Sequence, residues 1–278
     1  MSSQASGRVA LTADATAHAK PSTYTTLISS LDTDTKGLAL SIAGLTGNSN
    51  FLIDLAAGEE SSEVEFLSNL IWAAPSGAFY GSMLLIPMPF ASGVRLSARC
   101  SAVNISAGGT PQVYVGASAV QTGAWSVTDS WETIHTIGAN TADTGGVEIV
   151  PGNAGWGSWS EITASAPADL DGFFLGFGPQ EDDAFLARRY ALDFGLGGGP
   201  TSSFTDLSLG RAVSETYDFH YTRYIPMAIS SGETISARMW CSGTVENWDV
   251  VMYGVETTAA GGGGGGSEGI IGVVTPNG

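Results

Sequence analysis

The sequence predicts an all-β protein made of two tandem antiparallel β-sandwich domains, jelly-roll-like in type, that derive from an internal duplication. Three observations predict this fold class: a long self-similarity within the chain, an alternation of apolar with polar residues, and turn residues at short intervals. Together they indicate sets of short strands that occur twice, which is the pattern of paired sandwiches and not of a helical or α/β protein.

The self-similarity has a nearly constant spacing. Residues 86–99 (IPMPFASGVRLSAR) return as residues 225–238 (IPMAISSGETISAR), with eight of fourteen positions identical and a separation of 139 residues. Residues 51–58 match residues 190–197 at the same separation. A chain of 278 residues with such a repeat is expected to hold two copies of one module of roughly 100 residues.

Alternation within the repeat predicts its strands. Residues 96–102 (LSARCSA) alternate small or apolar residues with Ser and Arg, and residues 235–241 (ISARMWC) alternate in the same phase, which indicates one buried face. Residues 63–70 give only a weak hint of a helical period, and Pro87 and Pro226 are expected at matching strand ends. Further strands are predicted over residues 37–42, 51–55, 79–86 and 112–115, and over residues 172–177, 190–194, 217–225 and 250–253.

Composition shifts divide the chain into five parts. The middle part is rich in Gly, Thr and Ala but holds apolar residues, which predicts an ordered connector with two short strands. The predicted parts are an N-terminal arm (1–20), a first β-sandwich (21–117), the connector (118–154), a second β-sandwich (155–258) and a glycine-rich tail (259–278).

The C-terminal tail combines a flexible run with an apolar segment. Residues 261–266 are six consecutive glycines, which behave as a coil. The β-prone residues that follow are expected either to add a strand to a neighbouring molecule or to fray. As an assembly tail, the residues concerned are Ile270, Ile271, Val273 and Val274.

The charge balance excludes several partners. The chain has 10 Lys and Arg against 27 Asp and Glu, a net charge of −17, which repels phosphate backbones and anionic membrane surfaces. No apolar run is long enough for a transmembrane helix, and residues 1–8 lack the pattern of a signal peptide. Nucleic acid and membrane insertion are therefore not expected.

Catalytic and metal-binding patterns are not found in the sequence. His18, His135 and His220 are isolated, so no zinc-binding spacing occurs, and residues 32–37 resemble the start of a calcium loop but place Lys36 where a ligand belongs. Cys100 and Cys241 do not align with each other in the repeat and are expected as free, buried thiols. We expect no cofactor, no metal and no enzyme; a carboxylate pair of a polysaccharide hydrolase is a minor alternative.

One pair of opposite charges, an aspartate and an arginine, occurs in both copies. Asp54 corresponds to Asp193, and Arg99 corresponds to Arg238, while most other charges occur once. A charge pair that both copies retain is expected to serve the fold, as an Asp–Arg ion pair between neighbouring strands. The alternative is a duplicated ligand site.

Four tryptophans lie in or near the connector. Trp125, Trp131, Trp156 and Trp159 are candidate contacts for a carbohydrate or a partner, because an exposed indole ring stacks on a sugar face. Trp159 corresponds to Tyr24 in the repeat. The alternative is that these side chains anchor the core and the interfaces, as most tryptophans do.

The order of motifs resembles that of tandem β-sandwich proteins encoded among bacteriophage virion genes. The motifs are an aromatic residue followed by Ile or Leu, then Asp-x-x-Gly, a Leu-Asp-[Leu/Phe] or Ile-Asp-Leu strand, and Ile-Pro before Ser-Ala-Arg. The resemblance implies a virion component without cofactor, in contact with other virion proteins and with copies of itself as a homo-oligomer. It leaves open a tail fibre, tail-surface or capsid-decoration protein, and a receptor-recognition module that binds a cell-surface glycan.

Overall fold

The computed structural model describes residues 4–46, 49–74, 81–103, 111–121, 130–142, 145–179, 188–197, 201–213, 216–217, 221–243 and 247–258. Within these ranges the chain forms eighteen β-strands and no helix. The predicted fold class, all-β with antiparallel sandwiches, is confirmed. Since the described ranges contain no helix, they offer none that could cross a membrane.

The first eight strands form two four-stranded antiparallel sheets that pack face to face. Their order is β1-β8-β3-β6 in one sheet and β2-β7-β4-β5 in the other, which is the strand order of an eight-stranded jelly roll. The strands are β1 Val9–Thr12, β2 Thr25–Ile28, β3 Gly37–Thr46, β4 Ser49–Ala57, β5 Val64–Ala74, β6 Gly81–Ile86, β7 Leu96–Ala102 and β8 Gln112–Val120.

The second sandwich repeats this order with broken edge strands. One sheet runs β10-β18-β13 with β9 also on β18, and the other runs β11-β17-β14-β15-β16 with β12 also on β17. Two short strands thus share the place that a single strand has in the first sandwich. The strands are β9 Ser130–Ile137, β10 Val147–Ile149, β11 Gly155–Trp156, β12 Ser160–Thr163, β13 Gly172–Pro179, β14 Arg188–Leu196, β15 Thr201–Val213, β16 Thr216–Tyr217, β17 Ile235–Cys241 and β18 Trp248–Thr258.

The register of the two sandwiches agrees at most paired positions. Leu38 pairs with Ile86 at the end of β6, and its counterpart Phe173 forms a bridge with Ile225. Pro87 and Pro226 follow these two positions, where proline cannot interrupt a ladder. The weak helical hint at residues 63–70 is corrected, because these residues lie largely in β5, paired along β4.

The ends of the predicted modules contribute strands. The predicted arm contains β1, which pairs with β8. The predicted connector contains β9 and β10, which pair with β18 along the edge that β1 occupies on β8. Within the described part of this stretch, residues 130–137 and 147–149 therefore belong to a sheet of the second sandwich.

Each sandwich has its own apolar core. Leu40, Phe51 and Val113 belong to the first core, and Phe173 and Leu192 belong to the second. Cys100 lies in the first core and Cys241 in the second, both as buried thiols outside any disulfide. Burial raises the pKa of the Cys100 thiol to about 12, so it stays protonated and unreactive at neutral pH.

The outer face of the β13–β18 sheet packs against β5 of the first sandwich. Phe174, Val251 and Tyr253 point away from their own core and join the core of the first sandwich. Phe174 stacks on Trp131 with ring centroids 5.7 Å apart and on Tyr253 at 4.6 Å. Both faces of this sheet are thus buried, and the two sandwiches share one continuous apolar interface.

Two tyrosine hydroxyls from the second sandwich bind the free backbone edge of β5. The Ile71 N–H donates to the Tyr253 hydroxyl at 2.7 Å, and that hydroxyl donates to the Asn69 carbonyl at 2.8 Å. The Tyr221 hydroxyl donates to the Ile71 carbonyl at 2.8 Å. Complete burial raises the pKa of Tyr253, so the phenol remains a neutral donor. The phenols take the place of a neighbouring strand.

Gly176 on β13 allows this close approach. A Cβ at Gly176 would lie 2.7 Å from Ile71 Cγ2, which is shorter than any normal contact. A larger residue at this position would push β5 away from the hydroxyls that bind its backbone.

Candidate functional site

The repeated charges form one cluster in each sandwich. It lies on the outer face of the sheet that contains β4 and β7 in the first sandwich, and of the sheet that contains β14 and β17 in the second. Asp54 on β4 faces Arg99 on β7 in the register, and Asp193 on β14 faces Arg238 on β17. In each pair the Arg Nε donates to the Asp Oδ2 at 2.9 Å. The structure thus brings together the residues that the sequence predicted as ion pairs, at directly opposed positions on adjacent strands.

Each Asp also stabilises a β-bulge in the next strand. Two residues of β5 stand opposite Asp54, and two residues of β15 stand opposite Asp193. The second bulge residue has a positive φ in both cases, 52° at Asn69 and 55° at Asp206. Its N–H, which the ladder leaves unpaired, donates to the Asp Oδ1 at 2.9 Å in both sandwiches. The carboxylate therefore satisfies an arginine and a bulge at once.

An aromatic ring covers each arginine. The Arg99 guanidinium carbon lies 4.5 Å from the Tyr24 ring centroid. The Arg238 guanidinium carbon lies 5.0 Å from the Trp156 centroid and 4.9 Å from the Trp159 centroid. These contacts are at cation–π distance and hold the arginine flat against its carboxylate.

The first cluster is closed by two further charged residues. Lys20 Nζ donates to Asp54 Oδ1 at 2.6 Å and also binds Asn69 Oδ1. Arg99 Nη2 donates to Glu65 Oε1 at 2.7 Å, and the Tyr24 hydroxyl donates to the same oxygen. Burial, and then the bond to Glu65, raise the pKa of Tyr24, which keeps its hydroxyl protonated. The positive charges of Lys20 and Arg99 thus balance the negative charges of Asp54 and Glu65.

The second cluster is smaller. Arg238 uses Nε and Nη2 on the same Asp193 oxygen, at 2.9 and 2.7 Å. Asp206 replaces Asn69 at the bulge and is exposed. In the described part of the second sandwich no lysine and no further carboxylate closes the cluster, so its outer edge remains open to solvent.

The four candidate tryptophans are separated by the fold. Trp156 and Trp159 lie together, half-buried, against Arg238. Trp131 is 2% exposed in the interface between the sandwiches and is not available to an external ligand. Trp125 lies outside the described residues, as do the four apolar residues of the tail.

The sequence interpretation missed Lys20, Glu65 and the bulge residues. Asn69 and Asp206 could have been found by extending the alignment, because their separation of 137 residues lies between the two separations of the repeat. Lys20 and Glu65 have no charged counterparts, so the repeat gave no signal for them. The structure also shows no group of three or more potential metal ligands among the residues it describes.

Comparisons with known proteins give only a remote likeness. No protein-family model matches the sequence, and no curated protein matches it significantly. A structure of PNGF-II is 9% identical with a TM-score of 0.37, covering 89% of this chain and 65% of that chain. A structure of infectious bursal disease virus, Gx strain, is 12% identical with a TM-score of 0.26, covering 82% and 58%.

The VP2 subviral particle of infectious bursal disease virus is similar to the same degree. It is 14% identical with a TM-score of 0.26, and the match covers 84% of this chain and 59% of that one. This chain thus spans less than two thirds of the length of these proteins. At such TM-scores the likeness carries no argument about activity, ligand or partners.

Proposed function

We propose that the chain is a structural component of a bacteriophage virion, as a tail fibre, tail-surface or capsid-decoration protein that acts through protein–protein contacts. The observation that supports this most is the buried interface between the sandwiches. Tyr253 and Tyr221 bind the backbone of β5, and Phe174 and Val251 enter the first core. An interface of this kind holds the two modules in one rigid arrangement, which a structural component of a particle requires.

The charged clusters support the same proposal. In both sandwiches the buried Asp binds an arginine and a bulge of its own module, so its bonding serves the sheet. We infer no catalysis and no cofactor from these residues. The location would be the virion, with other virion proteins and further copies of the chain as partners, since virion parts follow the symmetry of the particle.

The test is incorporation into particles. A chain without residues 261–278 is expected to fold with unchanged stability and to enter particles less efficiently, because the apolar tail would pair with a neighbour. A matched variant keeps the glycines and replaces Ile270, Ile271, Val273 and Val274 with Ser; it should show the same defect. Particle content is measured by quantitative mass spectrometry, and the position of the chain by cryo-EM.

One result would contradict this proposal, and a second would contradict only the role of the tail. Absence of the chain from purified particles would exclude a virion role altogether. Normal incorporation of both tail variants would leave the virion role intact and show that the tail only frays.

A second candidate function is a carbohydrate-binding, receptor-recognition module of the same particle. Trp156 and Trp159 favour it, because the structure places the centres of both half-buried indole rings within 5.0 Å of the Arg238 guanidinium carbon. Aromatic rings beside hydrogen-bonding groups are the usual lining of sugar sites. A glycan array with the purified protein tests this candidate, and uniform absence of signal would exclude it.

A further inference from the structure

The cluster of the second sandwich lacks a group that the first sandwich supplies from within. Arg99 distributes its nitrogens over three acceptors: Asp54 Oδ2, Glu65 Oε1 and the Pro21 carbonyl, at 2.9, 2.7 and 3.4 Å. Arg238 gives two nitrogens to one oxygen of Asp193, and the described residues supply no further acceptor. Its side chain is 30% exposed.

The register identifies the missing group. Glu65 pairs with Ala56, and Ser202 pairs with Gly195, the counterpart of Ala56. Ser202 therefore stands where the first sandwich has Glu65, and a serine carries no carboxylate. Among the described residues of the second sandwich, no side chain supplies Arg238 with the oxygen that Arg99 binds at this position.

The aromatic surroundings of the arginine change in the opposite direction. Tyr24 is replaced by the larger ring of Trp159, and Trp156 adds a second indole at 5.0 Å from the guanidinium carbon. The tyrosine hydroxyl that closes on Glu65 is lost with this exchange. Counted over the described residues, the second cluster thus has more aromatic surface and fewer internal hydrogen bonds than the first.

The charges around Arg238 limit which kind of ligand could complete the second cluster. Asp193 balances Arg238, and Asp206, whose N–H binds Asp193, carries a further, exposed carboxylate. The whole chain carries a net charge of −17. A free anion would be repelled by this field, whereas a neutral molecule with several hydroxyls can accept from the arginine and donate to the aspartate.

We propose that Arg238, Trp156, Trp159 and Asp206 form a binding site for a neutral pyranose sugar, present in the second sandwich only. One hydroxyl of the sugar accepts from the outer N–H of Arg238, as Glu65 does from Arg99. Another donates to Asp206, and the ring contacts indole surface. This inference rests on the second candidate function and gives it a location and a ligand class.

The sharpest test restores the missing carboxylate. Ser202→Glu should close the cluster as Glu65 closes the first and weaken sugar binding about tenfold, by competing for the arginine. The control is Ser203→Glu, which adds the same charge at the neighbouring exposed residue, the extra residue of the bulge opposite Phe194 and Gly195. The probes are the methyl glycosides of glucose, galactose and mannose, with sodium glucuronate as the anionic arm, followed by saturation-transfer NMR.

We expect the wild type and Ser203→Glu to bind at least one neutral glycoside, with Trp159→Ala and Ser202→Glu impaired. Circular dichroism and urea unfolding establish that each variant is folded. Sugar binding that Ser202→Glu leaves unchanged would place the sugar elsewhere and overturn this inference, while the carbohydrate function would stand. Preferential binding of glucuronate would overturn the ligand class. Absence of any sugar binding would overturn both the inference and the function on which it rests.

Discussion

The two charged clusters share an inner part and differ in an outer part. The inner part is an aspartate that binds the opposite arginine and the N–H of a bulge, with the same 2.9 Å distances around Asp54 and Asp193. The outer part is Lys20 and Glu65 in the first sandwich and a second indole in the other. The difference separates what the sheet requires from what an individual module can change.

The inner part has a physical reason to occur twice. A bulge leaves one N–H without a ladder partner, and a buried donor without a partner costs about 1–3 kcal/mol. An aspartate on the neighbouring strand removes this cost, but its own charge then requires a cation, which the opposite arginine supplies. Bulge, aspartate and arginine depend on one another, whereas the outer residues do not enter this cycle.

Removing the aspartate tests this dependence and should have the largest effect. Asp54→Ala removes the acceptor that Arg99, Lys20 and the Asn69 N–H share, and we expect a loss of about 3 kcal/mol in the free energy of unfolding. Asp193→Ala removes the acceptor of only Arg238 and the Asp206 N–H. Because Arg238 can turn to solvent, we expect a smaller loss of about 2 kcal/mol in the free energy of unfolding. Urea unfolding at neutral pH measures both.

The isosteric variants sharpen the same comparison. Asp54→Asn and Asp193→Asn keep an oxygen for the bulge N–H and remove only the charge, so each should cost less than the matching alanine variant. Equal losses for Asp54→Ala and Asp193→Ala would show that Lys20 contributes nothing to the first cluster.

The interface comes second in expected effect. Tyr253→Phe removes the hydroxyl that accepts from the Ile71 N–H and donates to the Asn69 carbonyl, both buried on β5. We expect a loss of about 2 kcal/mol, since a buried N–H is left unpaired. Tyr114→Phe, a half-buried tyrosine on β8 away from the interface, is the control and should change stability far less.

The two thiols report whether the sandwiches unfold together. Cys100 and Cys241 are buried in different cores, so iodoacetamide should modify each only after its own sandwich opens. In single-cysteine variants (Cys100→Ser or Cys241→Ser) we expect both thiols to react over the same range of urea. Separate transitions in the wild type would contradict the view that the interface joins the sandwiches into one unit.

The sequence predicted the parts of the fold that both copies contain. The repeat and the alternation in β7 and β17 were enough for the all-β class, the two sandwiches and the opposed charges. The interface was not predicted, because it joins non-equivalent surfaces and a repeat carries no signal for it. The available signal was local: residues 250–253 (VVMY) are apolar without alternation, as in a strand buried on both faces.

The candidate site was predicted only in part for a related reason. Arg238, Trp156 and Trp159 were named from the sequence, but their grouping depends on the path of β11 and β12 along β17. The opening beside Arg238 follows from Ser202 standing in the register of Glu65, and a bulge shifts that register by one residue. The correspondence is visible in the sequence only if the separation within the repeat is reduced from 139 to 137 residues beyond β4 and β14.

The smallest expected effect concerns Lys20, the residue by which the first cluster most differs from the second. Its ammonium contacts Asp54 Oδ1 at 2.6 Å, and its side chain is 16% exposed. Lys20→Met keeps the apolar stem and removes the charge, which makes the first cluster resemble the second. We expect a loss of about 1 kcal/mol in the free energy of unfolding, less in 1 M salt, because screening weakens part of the attraction in the wild type. The control is Lys36→Met, which changes the exposed second lysine of the chain and should have almost no effect. If the two variants are equally stable, the aspartate is fully satisfied by Arg99 and the bulge, and the first cluster is energetically the same as the second.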